Sequence, residues 1–190
     1  IERADAVQST LNIGLPTIDA AHADFLGLTV MNALLGGSFG SRITSNIREQ
    51  KGYTYSPSSR VDSQLGASYW VQVADVTTKD TGASIKEILF EIDRLRNEAP
   101  SVDELRGIQN YLAGTFVLRN SARAGIAQQL AILDLYGLGE NFLRNYVQNV
   151  YALTPADIQR LAKTYIDPAK LAIVVVGDRA KVADQLKAYE

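Results

Sequence analysis

The sequence predicts an α+β fold in which a mostly antiparallel sheet has helices packed on one face. Two observations support this prediction. Strand-like and helix-like patterns follow one another in the order strand, helices, hairpin, several helices, strand and helix. The chain has 190 residues and is 46% apolar, which is enough to bury one well-formed core. We therefore expect residues 1–190 to form a single domain, and the start at Ile1 rather than methionine suggests a processed product or a fragment of a longer chain.

A strand and a buried helix are predicted first. Weak alternation of apolar residues over 6–15 indicates a strand that ends at Pro16. Dense apolar residues over 25–35 then predict a helix that Asp19 caps and that Gly36 ends.

The segment 35–59, LGGSFGSRITSNIREQKGYTYSPSS, predicts a second, short helix. Ile43 and Ile47 lie four residues apart and form its inward side. Gly52 ends this helix, because glycine tolerates the left-handed backbone that closes a helix.

A hairpin follows the short helix. The alternating residues 53–56 indicate a first strand, and 67–76 a second strand that pairs with it across the turn at 62–66. Pro57 cannot donate to a strand ladder, so the first strand lies at a sheet edge or is broken there.

Arg48, Tyr53 and Tyr55 are the candidate site residues. Arg48 lies in the last turn of the short helix, and the tyrosines project from one face of the returning strand because strand side chains alternate. A guanidinium and a phenol on neighbouring elements suit a carbonyl or carboxylate oxygen. The structural alternative is a cation stabilised by the helix dipole beside a tyrosine-rich sheet.

The second half is predicted to be mainly helical. An amphipathic helix begins at Asp80 or Thr81 and stops at Pro100. Ser101 and Glu104 form a capping-box pattern at the start of the next helix. Further helices are predicted at 125–136, at 141–151 and after Thr154, with Pro155 in the first turn.

A final strand and a short terminal helix complete the prediction. The run LAIVVV at 171–176 is continuously apolar. Such a run is typical of a strand buried on both faces in the middle of a sheet.

Composition excludes several classes of function. The net charge of −2 and the pI of about 5.5 argue against nucleic acid as a partner. The chain has no cysteine and one histidine, His22, so it lacks the ligands of a catalytic zinc site. No apolar run approaches the roughly 20 residues of a membrane span, and we expect a soluble chain, without a choice between periplasm and cytoplasm.

Two local motifs have simpler explanations than catalysis. His22 near a helix start is more simply a solvated or capping residue than a base. Gly36, Gly37 and Gly40 suggest a phosphate-binding loop, but no lysine follows Gly40 and the dinucleotide spacing is not met. A tight turn between packed helices explains these glycines better.

The segment GGSFGSRITSNIREQKGYTYSPSS resembles the signature of the non-catalytic half of insulinase/pitrilysin-type zinc metallopeptidases, including bacterial relatives of mitochondrial processing peptidase. The strand at 8–10, the helix at 77–95, the stretch Thr154 to Ile158 and residues 173–178 are similar to the same half. The likeness therefore extends over nearly the whole chain.

The resemblance implies an accessory role in proteolysis. In this family two homologous α+β halves enclose an extended peptide; one half holds zinc, and the other supplies an arginine and a tyrosine. These residues correspond to Arg48 and Tyr55 here, with Tyr53 as a near alternative. The implied partners are a homologous zinc-bearing half or subunit and a peptide substrate, and no cofactor is expected in this chain.

Two rival hypotheses remain at this point. The chain is either a structural or peptide-binding module of the same fold without a catalytic role, or an unrelated ferredoxin-like domain that binds a small ligand or RNA.

Overall fold

A four-stranded antiparallel sheet in the order β2-β3-β1-β4 organises the computed structural model, which describes residues 1–189. The strands are β1 (Gln8–Pro16), β2 (Ser58–Asp62), β3 (Tyr69–Thr77) and β4 (Ala172–Val176). β1 pairs with β3 from Gln8↔Thr77 to Pro16↔Tyr69 and with β4 from Thr10↔Val176 to Gly14↔Ala172. The predicted α+β fold with an antiparallel sheet is confirmed.

The helices follow the predicted order. They are α1 (Phe25–Asn32), α2 (Arg42–Thr44), α3 (Thr81–Asn97), α4 (Val102–Asn120), α5 (Arg123–Leu135), α6 (Asn141–Arg144), α7 (Tyr146–Ala152), α8 (Pro155–Tyr165) and α9 (Arg179–Leu186). Two of them continue as π-helical turns, α1 through Ala33–Gly37 and α2 through Ser45–Gln50. Short 3₁₀ turns cover Thr78–Asp80, Pro168–Lys170 and Lys187–Tyr189.

One face of the sheet forms the core with the helices. Alternate residues of β1 and β3 point to this face, because strand side chains alternate in direction, and they are buried: Leu11, Ile13, Leu15, Trp70, Gln72, Ala74 and Val76. Helices α1, α3, α4 and α8 contribute the other side of the core. The helices therefore pack on one face, as predicted.

The final strand is not in the middle of the sheet, and the prediction for residues 171–176 was wrong in this respect. β4 lies at an edge beside β1, and Val174 is 42% exposed. Within residues 1–189, its outer side is paired at one end, where Glu2 bridges Gly177 and the Ile1 amino group donates to the carbonyl of Val175 at 2.7 Å. A continuous apolar run is compatible with a half-covered edge strand, since Ile173 and Val175 still pack against the core.

The first strand of the hairpin begins later than predicted. β2 starts at Ser58, after Pro57, and residues 53–56 are not a strand. Thr54 makes a single antiparallel bridge to Val76 and donates its hydroxyl to the carbonyl of Asp75 at 2.6 Å. β2 is an edge strand, as the proline predicted.

Three helix-end predictions need correction. Asp19 does not cap α1; its carboxylate accepts from Ala21 N, and the helix begins at Phe25. The predicted helix over 141–151 is divided at Asn145 into α6 and α7. Ser101 caps α4 by accepting from Glu104 N at 3.1 Å, but the Glu104 carboxylate bonds to Arg42 instead of completing the capping box.

Among residues 1–189, no helix is both long enough and apolar enough to cross a membrane.

A buried polar network lies between α1 and the hairpin. Asn32 Oδ1 accepts hydrogen bonds from the Ser59 hydroxyl at 2.6 Å and from the Trp70 indole N–H at 2.8 Å. Asn32 is 8% exposed and Trp70 is fully buried. The network is stabilising because each buried donor has an acceptor.

We expect Asn32→Ala to lower the free energy of unfolding by about 3 kcal/mol, because it leaves two buried donors without an acceptor. Urea unfolding followed by the fluorescence of Trp70, the single tryptophan, measures this loss. Asn97→Ala is the matched control, since Asn97 is exposed and bonds only within its own helix. Equal losses in the two variants would contradict the role of the network.

A second polar contact joins α1 to α8. Arg160 donates two hydrogen bonds of 3.0 Å to the Asp24 carboxylate, and Tyr165 donates one of 2.8 Å. The Arg160 hydrogen bonds are the largest influence on the carboxyl, and they outweigh desolvation. Together with the Tyr165 hydrogen bond, they lower the pKa of Asp24 from 3.8 to about 2.

This lowered pKa predicts an acid-sensitive contribution to stability. A carboxylate with a lower pKa in the folded state stabilises the fold above its unfolded pKa and loses this effect as pH falls through the folded pKa. The free energy of unfolding should therefore decrease between about pH 4 and about pH 2, and Asp24→Asn should flatten this decrease. Unfolding curves over this pH range test it, with the exposed Asp134→Asn as control; a similar flattening in the control would refute the assignment.

Candidate functional site

The candidate site begins with the short helix α2 and its π-helical continuation. Ile43 and Ile47 are fully buried and form the inward side, as predicted. Asn46 donates to Glu87 and Glu91 of α3, both at 2.9 Å, which fixes the helix laterally. These contacts leave Arg48 on the side that faces away from the core.

The helix ends where the sequence predicts. Gly52 has a φ of +66°, the left-handed region that glycine favours. Gly52 N donates to the carbonyl of Arg48 at 3.1 Å, and Tyr53 N donates to that of Ile47 at 2.8 Å. The chain is thereby turned back beside the helix end, and Tyr55 reaches Arg48.

Arg48 is in contact with two exposed aromatic rings. Its guanidinium carbon lies 4.5 Å from the centroid of Phe39 and 4.7 Å from that of Tyr55. Phe39 and Tyr55 are 67% and 78% exposed as residues. Cation–π contacts of this kind restrict the arginine while leaving the phenol accessible.

The guanidinium retains capacity to bind a ligand. Arg48 Nε is 3.0 Å from the carboxylate of Glu49, and the Arg48 side chain is 24% exposed. No other described residue from 1 to 189 forms an ion pair with Arg48. Its terminal nitrogens and the Tyr55 hydroxyl are therefore available to a carbonyl or carboxylate oxygen.

Tyr53 and Tyr55 do not lie on the same face of the chain, and the expectation that both project from one face was wrong. Tyr53 is half-buried and packs against the core, whereas Tyr55 is exposed. The reason is that residues 53–56 form a bend with one bridge rather than a regular strand. Of the two tyrosines, only Tyr55 is in ring contact with Arg48 within the described part of the chain.

Sequence reasoning missed Phe39. It follows the glycine pair in the segment 36–40, and an aromatic residue among glycines was the available signal. Gly36 and Gly37 are needed for close packing: a Cβ on Gly36 would lie 2.6 Å from Ser59 Oγ, and one on Gly37 2.5 Å from Asn32 Nδ2. The glycines thus allow the loop to pack closely against the sheet and position Phe39, in agreement with the predicted tight turn.

His22 has the structural role that the sequence favoured. It is exposed, and its Nδ1 accepts a hydrogen bond from Asp24 N at 3.0 Å. Residues 1–189 contain no group of three or more histidine, aspartate or glutamate side chains that could hold a metal ion. The residues described therefore offer no cluster that fits a zinc ion.

Comparison with known proteins connects the chain to one family of peptidases. A family model described as the peptidase M16 inactive domain matches residues 1–112. The Helicobacter pylori protein named Non-peptidase homolog YmxG is 26% identical over 181 residues, covering 93% of this chain and 41% of that protein.

Solved structures share the fold. The peptidase M16 inactive domain from Pseudomonas fluorescens has a TM-score of 0.87 at 23% identity, covering 94% of this chain and 42% of that one. A protease from Helicobacter pylori has a TM-score of 0.84 at 18% identity, covering 93% and 43%. The chain thus spans about two fifths of the length of these relatives.

The exposure of the site predicts that its aromatic residues contribute little to stability. We expect Phe39→Ala and Tyr55→Ala each to change the free energy of unfolding by less than about 1 kcal/mol, because exposed cation–π contacts are weak. Tyr53→Ala should cost roughly 2 kcal/mol, since it removes a ring that packs against the core. Urea unfolding compares the three variants, and a Tyr55→Ala loss as large as that of Tyr53→Ala would show that Tyr55 is structural.

Proposed function

This chain belongs to the peptidase M16 inactive-domain family, and from that premise we propose that it is the zinc-free accessory half of a metalloendopeptidase. In this proposal a homologous half, fused to this chain or separate from it, holds the zinc. The present chain binds extended peptide and supplies Arg48 and Tyr55 to the shared active site. The length of its relatives supports the pairing, because the chain matches about two fifths of each.

The contact between Arg48 and Tyr55 is the observation that carries the proposal. The guanidinium lies 4.7 Å from the Tyr55 ring, with its terminal nitrogens and the phenol open to a ligand. Tyr55 is 78% exposed, so it adds little to the core and is accessible to a ligand. Exposed polar groups held in a fixed arrangement are typical of binding sites.

Each residue has a defined task in this proposal. Arg48 binds a backbone carbonyl or carboxylate of the peptide through two N–H donors, which orients the substrate. The Tyr55 hydroxyl donates a hydrogen bond to the oxygen that becomes negative when the scissile carbonyl is attacked. A donor of this kind contributes on the order of 3 kcal/mol to transition-state stabilisation. When bound in the other half, zinc supplies the activated water.

A structural or peptide-binding module without a catalytic role is the second candidate. The name of the H. pylori relative, Non-peptidase homolog, favours it. The same geometry would then bind peptide without turnover. The earlier alternative of an unrelated ferredoxin-like domain is wrong, since the family model covers more than half of the chain.

Reconstitution distinguishes the two candidates. We expect the purified chain to hydrolyse no peptide alone and to support chelator-sensitive hydrolysis with a homologous zinc-bearing half. Tyr55→Phe should then lower kcat about 100-fold, because it removes one oxyanion donor, and Arg48→Ala should lower kcat/KM. Tyr53→Phe should leave both constants near the wild-type values.

Arg144→Ala is the matched arginine control. Arg144 is an exposed residue of α6, and within residues 1–189 its one ion-pair partner is Glu140, which directly precedes that helix. Unchanged rates in both Arg48→Ala and Tyr55→Phe would support the non-catalytic module. Hydrolysis by the isolated chain that survives a chelator would contradict the accessory role altogether.

A further inference from the structure

A cavity of about 370 Å³ adjoins the contact between Arg48 and Phe39. Phe39 lines the cavity and also contacts the Arg48 guanidinium, so the same side chain borders both the cavity and the candidate site. The remaining walls come from the end of α1 and from the first three turns of α4. A peptide whose backbone lies at Arg48 would therefore pass this cavity.

The lining of the cavity is mainly apolar. Leu34 and Ile108 line the cavity and are at most 8% exposed. Phe39 and Tyr111 also line it and are 67% and 52% exposed. Exposed aromatic surface next to a cavity is costly in water. A bulky apolar side chain placed there would remove this surface from water.

The charge at the cavity selects against acidic side chains. Glu104 is neutralised by Arg42, whose Nε and Nη2 donate to its two oxygens at 2.6 and 2.9 Å. Asp103 also lines the cavity and forms no ion pair with any other residue in the described range. Its carboxylate would repel an acidic side chain. The Arg42–Glu104 pair also fixes α4 against the start of α2, which follows the loop that bears Phe39, so the cavity is formed before a ligand binds.

We infer that this cavity is a specificity pocket for one bulky apolar side chain of the peptide. The inference rests on the proposed function, because it assumes that Arg48 and Tyr55 hold the peptide backbone. It adds the substrate class: extended peptides with a leucine-, methionine- or phenylalanine-sized residue next to the bound backbone, and without an acidic residue at that position.

Two glycines of α4 allow a matched test. A Cβ on Gly107 would meet no atom within 4 Å, and Gly107 lines the cavity. A leucine there fits the helix and fills the pocket. Gly114 is also in α4 and also has no atom within 4 Å of a Cβ, but it does not line the cavity. Gly114→Leu therefore controls for the change in helix propensity and in surface hydrophobicity.

The experiment measures binding of end-capped, fluorescein-labelled ten-residue polar peptides that differ at one central position: Gly, Leu, Phe or Glu. Fluorescence anisotropy gives the Kd of each peptide for this chain. We expect the Leu and Phe peptides to bind about tenfold or more tightly than the Gly peptide, and the Glu peptide to bind less tightly than the Gly peptide. Gly107→Leu should abolish the Leu and Phe preference, Gly107→Ala should reduce it, and Gly114→Leu should retain it.

Several results would overturn the inference of a specificity pocket. These are no preference in the wild-type chain, no detectable binding of the Phe peptide, and a preference that survives in Gly107→Leu. Arg48→Ala separates this failure from that of the proposed function. If Arg48→Ala weakens the binding of all four peptides while Gly107→Leu retains the preference for Leu and Phe, the inference of a pocket is wrong and the proposed function stands. If Arg48→Ala weakens the binding of none of the peptides, the proposed function fails, whatever the side-chain preference.

Discussion

Burial of Ile43 and Ile47 is the constraint on which the arrangement of the site depends. Both side chains are fully buried, and they hold a helix of barely two turns against the sheet and α3. A helix this short has little stability of its own, since nucleation is costly and most helix stability in proteins comes from packing. Once its inward side is fixed, the orientation of Arg48 follows.

Irregular backbone surrounds this helix on both sides. Both α1 and α2 end in π-helical turns, which are rare and occur frequently at functional sites. The first turn leads directly into the loop that bears Phe39, and the second contains Arg48. Gly52 then reverses the chain with a left-handed residue. These three local features bring residues that are separated by 16 positions in sequence into one contact.

The structure separates residues that stabilise the fold from residues that are available to a ligand. Trp70, Asn32 and Ser59 form a satisfied buried network, and Arg42 and Glu104 form a bidentate pair beneath the site. Phe39 and Tyr55 remain exposed above these contacts. Such a division is expected of a rigid scaffold that positions a binding surface, because preorganised groups lose less entropy when a ligand binds.

The sequence by itself determined the α+β class, the order of the elements, the helix that ends at Gly52 and the position of Arg48 near a tyrosine. Hydrophobic periodicity and the glycine and proline signals depend on neighbouring residues, so they can be recognised from the sequence alone. The tertiary structure decided that β4 lies at a sheet edge and that Glu104 binds Arg42 instead of capping its own helix. It also separated Tyr53 from Tyr55 and placed Phe39 in contact with Arg48. Each of these depends on which distant residues become neighbours, and no local pattern encodes that information.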